Sequence, residues 1–94
     1  MARAVWRGVE LAQSDDYEIV EGNIYFPADS IKSELFTPSE TETYCPWKGV
    51  ANYYNLEVNG EINEDAAWFY PQTKAAAKNI EGHIAFWNGV EVTA

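Results

Sequence analysis

Apolar and polar residues alternate in short runs broken by glycine-bearing turns, the pattern of strands that bury one face. Ala2 to Ser14 reads as a hairpin folded at Arg7-Gly8. A two-residue turn there sets Trp6 against Val9 and Ala4 against Leu11, with Arg3, Arg7 and Glu10 left toward water. Tyr17 to Phe26 repeats the device at Glu21-Gly22, placing Ile19 opposite Ile24 and Tyr17 opposite Phe26. Pro27 ends that strand, because it has no N–H to give the ladder.

Ala28 to Pro38 has no clean period. Asp29 or Ser30 is placed to cap a single helical turn through Lys32–Phe36, with Glu34 in a capping-box position, and Pro38-Ser39 breaks it. Glu40 to Cys45 then alternates strictly, with Thr41, Thr43 and Cys45 on one face and Glu40, Glu42 and Tyr44 on the other. Val50 to Val58 is the longest predicted strand. Val50, Tyr54, Leu56 and Val58 share a face, with Asn52 its lone polar member. Asn59-Gly60 signals the next hairpin. A two-residue turn would oppose Leu56 to Asn63, whereas a three-residue loop, Asn59-Gly60-Glu61, opposes Val58 to Ile62 and Tyr54 to Ala66. The second register pairs apolar with apolar, so it is the expected one, and it puts Trp68 beside Asn52.

Pro71-Gln72-Thr73 stops the strand and opens one helix near Thr73–Ile80, with Thr73 as N-cap and Gly82 beyond its end. Its alanines favour helix, and about two turns need Ala76 and Ile80 docked on a sheet. His83–Trp87, Asn88-Gly89 and Val90–Val92 read as a final hairpin pairing Trp87 with Val90 and Ala85 with Val92. The expectation is a mainly β (α+β) chain. Antiparallel hairpins form a small curved sheet or open barrel-like fold, with that one short helix.

Ninety-four residues point to one domain, 1–94, with a modest core. Fourteen aromatic residues compensate, since each ring buries much area, or else some of them line a pocket. Six basic residues against fifteen acidic ones give a formal charge of −9. Phosphate backbones are held by clustered Lys and Arg, and the cations here are scattered, so neither nucleic acid nor an anionic membrane is an expected partner. One Cys and one His exclude an internal disulfide and a structural zinc site, and no metal site is expected. No signal-peptide pattern or long apolar run appears, which makes the cytoplasm the default.

Chemistry concentrates in Tyr44-Cys45-Pro46-Trp47-Lys48-Gly49-Val50-Ala51-Asn52-Tyr53-Tyr54. This window holds the only cysteine, one of four lysines and three of six tyrosines. It resembles the signature of the family known as domain of unknown function 427, also labelled nucleotidyltransferase-like. Tyr25-Phe26-Pro27 with Asp29, Thr41/Thr43, Ala67-Trp68 with Tyr70, and Ile80 to Phe86 match in order over nearly the whole chain. The family carries no established reaction, and the label implies phosphoryl transfer. That chemistry needs metal-holding carboxylates and a phosphate cradle. The chain has no Gly-rich phosphate loop and no Asp-Xaa-Asp pair.

Cys45 is either a nucleophile whose thiol is activated by Lys48 or a small hydrophobe packed under the turn, the commoner fate of a free Cys. Lys48 is either an anchor for a ligand or a lysine lying along Trp47 or a tyrosine. His83 shares a face with Ala85 and Trp87, where a structural role is the more frequent one. Asp29 is expected to cap a turn rather than hold a metal, and Glu64 and Asp65 diverge unless a bulge intervenes. Tyr25, Tyr44, Tyr53, Tyr70 and Trp47 form a candidate aromatic wall, with Tyr54 in the core. The leading functional expectation is a small ligand, anionic or nucleotide-like, held by Tyr25, Trp47, Lys48, Asn52, Tyr53, Trp68 and Tyr70 beside the Cys45–Gly49 turn. An enzyme using Cys45, Lys48 or His83, of transferase type, is the alternative. A purely structural interaction module is the third, and a homodimer through edge strands or exposed rings is compatible with all three. No particular cofactor is indicated.

Overall fold

The computed structural model describes residues 1–94. Antiparallel strands dominate, as the alternation predicts, and the sheets stay open rather than closing into a barrel. β1 (Ala2–Trp6), β2 (Val9–Ser14) and β9 (Glu91–Thr93) form one sheet in the order β2-β1-β9. β3 (Glu18–Val20) and β4 (Asn23–Tyr25) form a two-stranded ribbon. β5 (Phe36–Cys45), β6 (Gly49–Val58), β7 (Glu61–Phe69) and β8 (Ile84–Phe86) form the main sheet in that order.

Two-residue turns reverse the chain at four places. Arg7, Glu21, Asn59 and Asn88 all have positive φ and are each followed by a glycine that does too. That pair of left-handed residues twists a turn the way its flanking strands twist. Trp6 opposes Val9 and Ile19 opposes Ile24 as expected. A bulge between Ala4 and Val5 moves Ala4 onto Ala12 rather than Leu11. The β3–β4 ladder ends at Glu18 and Tyr25, so Tyr17 and Phe26 are not paired. Phe26 instead exchanges two backbone hydrogen bonds with Ile84, at 2.7 and 2.8 Å, which ties the ribbon to the main sheet.

The single turn expected over Lys32–Phe36 is two 3-10 turns, Ala28–Ser30 and Ser33–Leu35, neither capped by a side chain. Asp29 is exposed and makes no cap. Pro38 does not break the chain. It lies inside β5, the edge strand, where a missing N–H leaves no partner wanting, and the ladder is irregular between Pro38 and Glu42.

The β6–β7 hairpin uses the two-residue turn, with Val58 on Glu61 and Leu56 on Asn63, not the expected three-residue loop. Compensation comes further along. Between the Leu56–Asn63 and Tyr54–Ala67 pairs, β7 accommodates Glu64, Asp65 and Ala66 against Asn55 alone, with Asp65 left-handed at φ 54. The Asn55 side chain accepts the Asp65 N–H at 2.9 Å. Beyond this bulge Tyr53 pairs with Trp68 and Asn52 with Phe69, one residue off the predicted register.

The expected helix at Thr73–Ile80 is a 3-10 run at Ala75–Ile80, kinked at Ala77, preceded by an extended Lys74 and without a side-chain cap. Ala77 and Ile80 are buried while Ala76 is exposed, as a three-residue turn requires. Asn88-Gly89 does turn the chain, but the two flanking segments do not pair with each other. Ala85 pairs with Trp68 on β7, and Val92 pairs with Ala4 on β1. The turn therefore passes the chain from one sheet to another.

Two apolar clusters result. The larger joins Leu11, Phe26, Phe36, Leu56, Val58, Ala67 and Phe86 between the sheets. Tyr54 packs there, stacked on Phe69 at 4.8 Å between ring centres. Val50, expected on this face, is 42% exposed because it lies past the core's end. The smaller cluster, on the sheet's other face, joins Tyr25, Ala51, Tyr70, Ala77, Ile80 and Ala85. No helix is long and apolar enough to cross a membrane.

Candidate functional site

Pairing across an antiparallel sheet puts opposed side chains on the same face. Tyr53, Trp68 and Ala85 form such a row across β6, β7 and β8. Tyr70 lies two residues beyond Trp68 and Trp87 two beyond Ala85, so both rings belong to that face. Small Ala51 and Ala85 sit among large rings. A hollow of about 210 Å³ opens here, lined by Lys48, Tyr53, Trp68, Tyr70 and Trp87.

Lys48 reaches it from the turn joining β5 to β6. That turn is anchored on the segment after β7: the Lys74 N–H donates to the Lys48 carbonyl at 3.0 Å. The Lys74 ammonium also donates to the Pro46 carbonyl at 2.6 Å and to the Tyr44 hydroxyl at 2.8 Å. Lys74, which the sequence showed only as one more scattered cation, is thus the strap that holds the turn.

The Lys48 residue is 7% exposed, the only charged residue buried to that degree. Its ammonium lies 5.3 Å from the Trp47 ring centre and 5.5 Å from that of Tyr70. It donates to the Glu21 carboxylate, whose side chain is 53% exposed. Burial by itself would lower the lysine's pKa. The hydrogen bond to Glu21, with smaller contributions from Tyr25 and Tyr70, outweighs it and holds the value at about 12. The amine is therefore an ammonium throughout the physiological range. Glu21 is pushed below the ordinary carboxylate value, first by the Lys48 hydrogen bond and less by the Trp47 indole. Burial pushes the Tyr70 phenol up, against the opposing charge of Lys48.

Of the expected site residues, the structure brings together Lys48, Tyr53, Trp68 and Tyr70. Tyr25 is fully buried behind them, where its hydroxyl accepts the Trp68 indole N–H at 3.2 Å. Trp47 covers the ammonium from outside and does not line the hollow. Asn52 does not line it either. The register it depends on is shifted by one, so it points to the opposite face and meets Glu42 at 3.4 Å. Tyr44 is 64% exposed at the strap and away from the lining. Cys45 is half-buried against the smaller cluster and does not line the hollow. The His83 ring meets the Glu81 carbonyl at 3.2 Å and is not part of the hollow. Asp65 is at a bulge after all, but it faces Ser39 and Thr41 rather than a second acid. No group of three or more His, Cys, Asp and Glu side chains is placed to hold a metal ion.

Trp87 and Glu21 belong to the site without any sequence signal that marks them. Trp87 looks like a hairpin-pairing residue in sequence, yet it is half exposed, its indole donates to the Asp65 carbonyl, and it meets Trp68 edge-on at 6.0 Å. Glu21 carries no local signal beyond its turn, and its contact with Lys48 spans 27 positions.

Comparison with curated proteins found no match. A family model described as "Domain of unknown function (DUF427)" matches residues 1–94, the whole chain. Cys45-Pro46-Trp47-Lys48-Gly49, the turn that presents the buried ammonium, lies within that match, and the chain belongs to this family.

Proposed function

We propose that this protein binds a small ring-bearing molecule in the hollow beside the Cys45–Gly49 turn. One observation carries the reading. A buried ammonium sits in the wall of a hollow whose other lining residues are all aromatic. Glu21 takes one of the three ammonium donors, which leaves donors for a second acceptor. Rings with a few polar donors are the usual composition of small-molecule sites. The space, about 210 Å³, is below the roughly 300–1,000 Å³ of sites for drug-sized ligands. It suits a single or fused ring such as a nucleobase, with any larger remainder of the molecule outside.

The test is a titration of the ¹⁵N-labelled protein with single-ring and fused-ring fragments, following the indole N–H signals of Trp68 and Trp87. Binding moves those two signals first, and Lys48→Met weakens it at least about fivefold while the spectrum of the fold persists. Fragments that move only signals elsewhere, or that bind Lys48→Met equally well, would leave the hollow as a packing feature of an interaction module.

A further inference from the structure

The ammonium in the hollow already has its counterion. Glu21 bonds Lys48 but does not line the hollow, so the lysine stands between the carboxylate on one side and the rings on the other. No second charged residue lines the space. The site is thus neutral as a whole, inside a chain whose formal charge is −9.

The backbone that carries Glu21 is also anchored. Glu21 sits at a two-residue turn with φ 54, and the ribbon that carries it is fixed by fully buried Tyr25 and by the Phe26–Ile84 backbone bonds. An anion entering the hollow would share one ammonium with the Glu21 carboxylate, and like charges that close oppose each other. A neutral acceptor meets no such opposition. An ammonium has three donors, Glu21 takes one, and a carbonyl or ring nitrogen can accept another. The surrounding π-faces then hold the flat ring.

We propose, resting on the ligand-binding reading above, that the hollow selects uncharged flat rings bearing an acceptor over their anionic counterparts, with Glu21 setting that preference by neutralising Lys48.

Benzamide and benzoate test it. They share ring, size and acceptor oxygen and differ in charge. Both are titrated at neutral pH into the wild-type protein, Glu21→Gln and Glu21→Ala, following the Trp68 and Trp87 indole signals, with circular dichroism confirming the fold. The wild type binds benzamide at least about fivefold tighter than benzoate. Glu21→Gln leaves the Lys48 charge uncompensated and brings benzoate level with benzamide or ahead of it. Glu21→Ala shifts the ratio the same way. A wild type that prefers benzoate, or a ratio unmoved in both variants, overturns the assignment to Glu21 while the binding site stands. If neither probe moves either indole in any of the three proteins, the hollow is not a site for such rings and both readings fall.

Discussion

A Cβ on Gly49 would lie 2.9 Å from the Gln72 carbonyl oxygen, closer than side-chain carbons approach backbone. Gly49 also has φ +121, a conformation that L side chains rarely adopt. The residue after the ammonium-bearing lysine is therefore glycine for two independent reasons, and both serve the contact that fixes the turn. Gly49→Ala should cost about 2–3 kcal/mol. For a chain of this size that lowers the melting temperature by roughly 8–24 °C. A thermal melt checks it, and a loss of only a degree or two would mean that neither the positive-φ backbone nor the close approach of Gln72 is kept.

The Lys48–Glu21 pair makes stability depend on pH at both extremes. The folded pKa of Lys48 is raised from 10.5 to about 12, so its contribution is complete below the unfolded value and disappears as pH rises through the folded one. The folded pKa of Glu21 is lowered from 4.5, so its contribution is present above that value and disappears as pH falls through the depressed one. Urea unfolding of the wild type and Glu21→Gln should differ by a constant amount across neutral pH, and the difference should shrink at both ends. Comparing the two proteins cancels the titration of the other acids. A difference that persists unchanged into strong acid would show that charge is not what joins the pair.

The sequence carried the local part of this fold and lost the part set by distant contacts. Turn residues and alternation are local, so the turns at Arg7-Gly8, Glu21-Gly22 and Asn88-Gly89 were legible. So was the β-dominated architecture. The destination of the chain beyond a turn is set elsewhere. Val92 pairs with Ala4 on β1 instead of with Ala85, and nothing within ten residues of Asn88 says so. The β6–β7 register failed for a related reason. Pairing apolar with apolar through a longer loop requires one continuous ladder, whereas the chain uses the tight turn and corrects the phase with a bulge at Asp65. The site was legible to the same extent. Its anchor, Lys48, stands out by its neighbours in sequence. Asn52 drops out of the expected site because the register slips by one, which takes Trp68 off the face Asn52 shares with Tyr54 and sets it opposite Tyr53. The exposed acid that completes Lys48 could not be found, because fifteen acids compete for the role and only folding chooses.

Asp65 concentrates unusual duties for a left-handed residue. Its carboxylate accepts Ser39 and Thr41, its N–H reaches Asn55, and its carbonyl takes the Trp87 indole. Alanine keeps the unfavourable backbone and loses the carboxylate, whereas glycine loses the carboxylate and relieves the backbone. Asp65→Ala should be the more costly of the two by about 1 kcal/mol, the strain of a left-handed residue with a Cβ. Both should lie below the wild type, since the side-chain hydrogen bonds contribute about 1 kcal/mol each. Chemical denaturation ranks the three proteins. Equal losses for alanine and glycine would show that the bulge gives up its left-handed geometry once the carboxylate is gone.

Ile80 tests whether the hollow's backing is rigid. It is 0% exposed and packs with Tyr25, Tyr70, Ala77 and Ala85 on the side away from solvent. Trp68 lies against the same cluster. Ile80→Val removes one methylene and should cost about 0.5–1.5 kcal/mol, while Ile80→Ala should cost about 2–4 kcal/mol because a cavity remains where the side chain was. The cavity also frees Tyr25, whose hydroxyl positions the Trp68 indole. Ile80→Ala should therefore broaden the Trp68 indole N–H signal and leave that of Trp87 sharp, since Trp87 is held from the Asp65 bulge instead. Equal broadening of both would mean that the two walls of the hollow move as one body. Broadening of neither, together with the full stability loss, would mean that the 3-10 run at Ala75–Ile80 supports the fold without shaping the site.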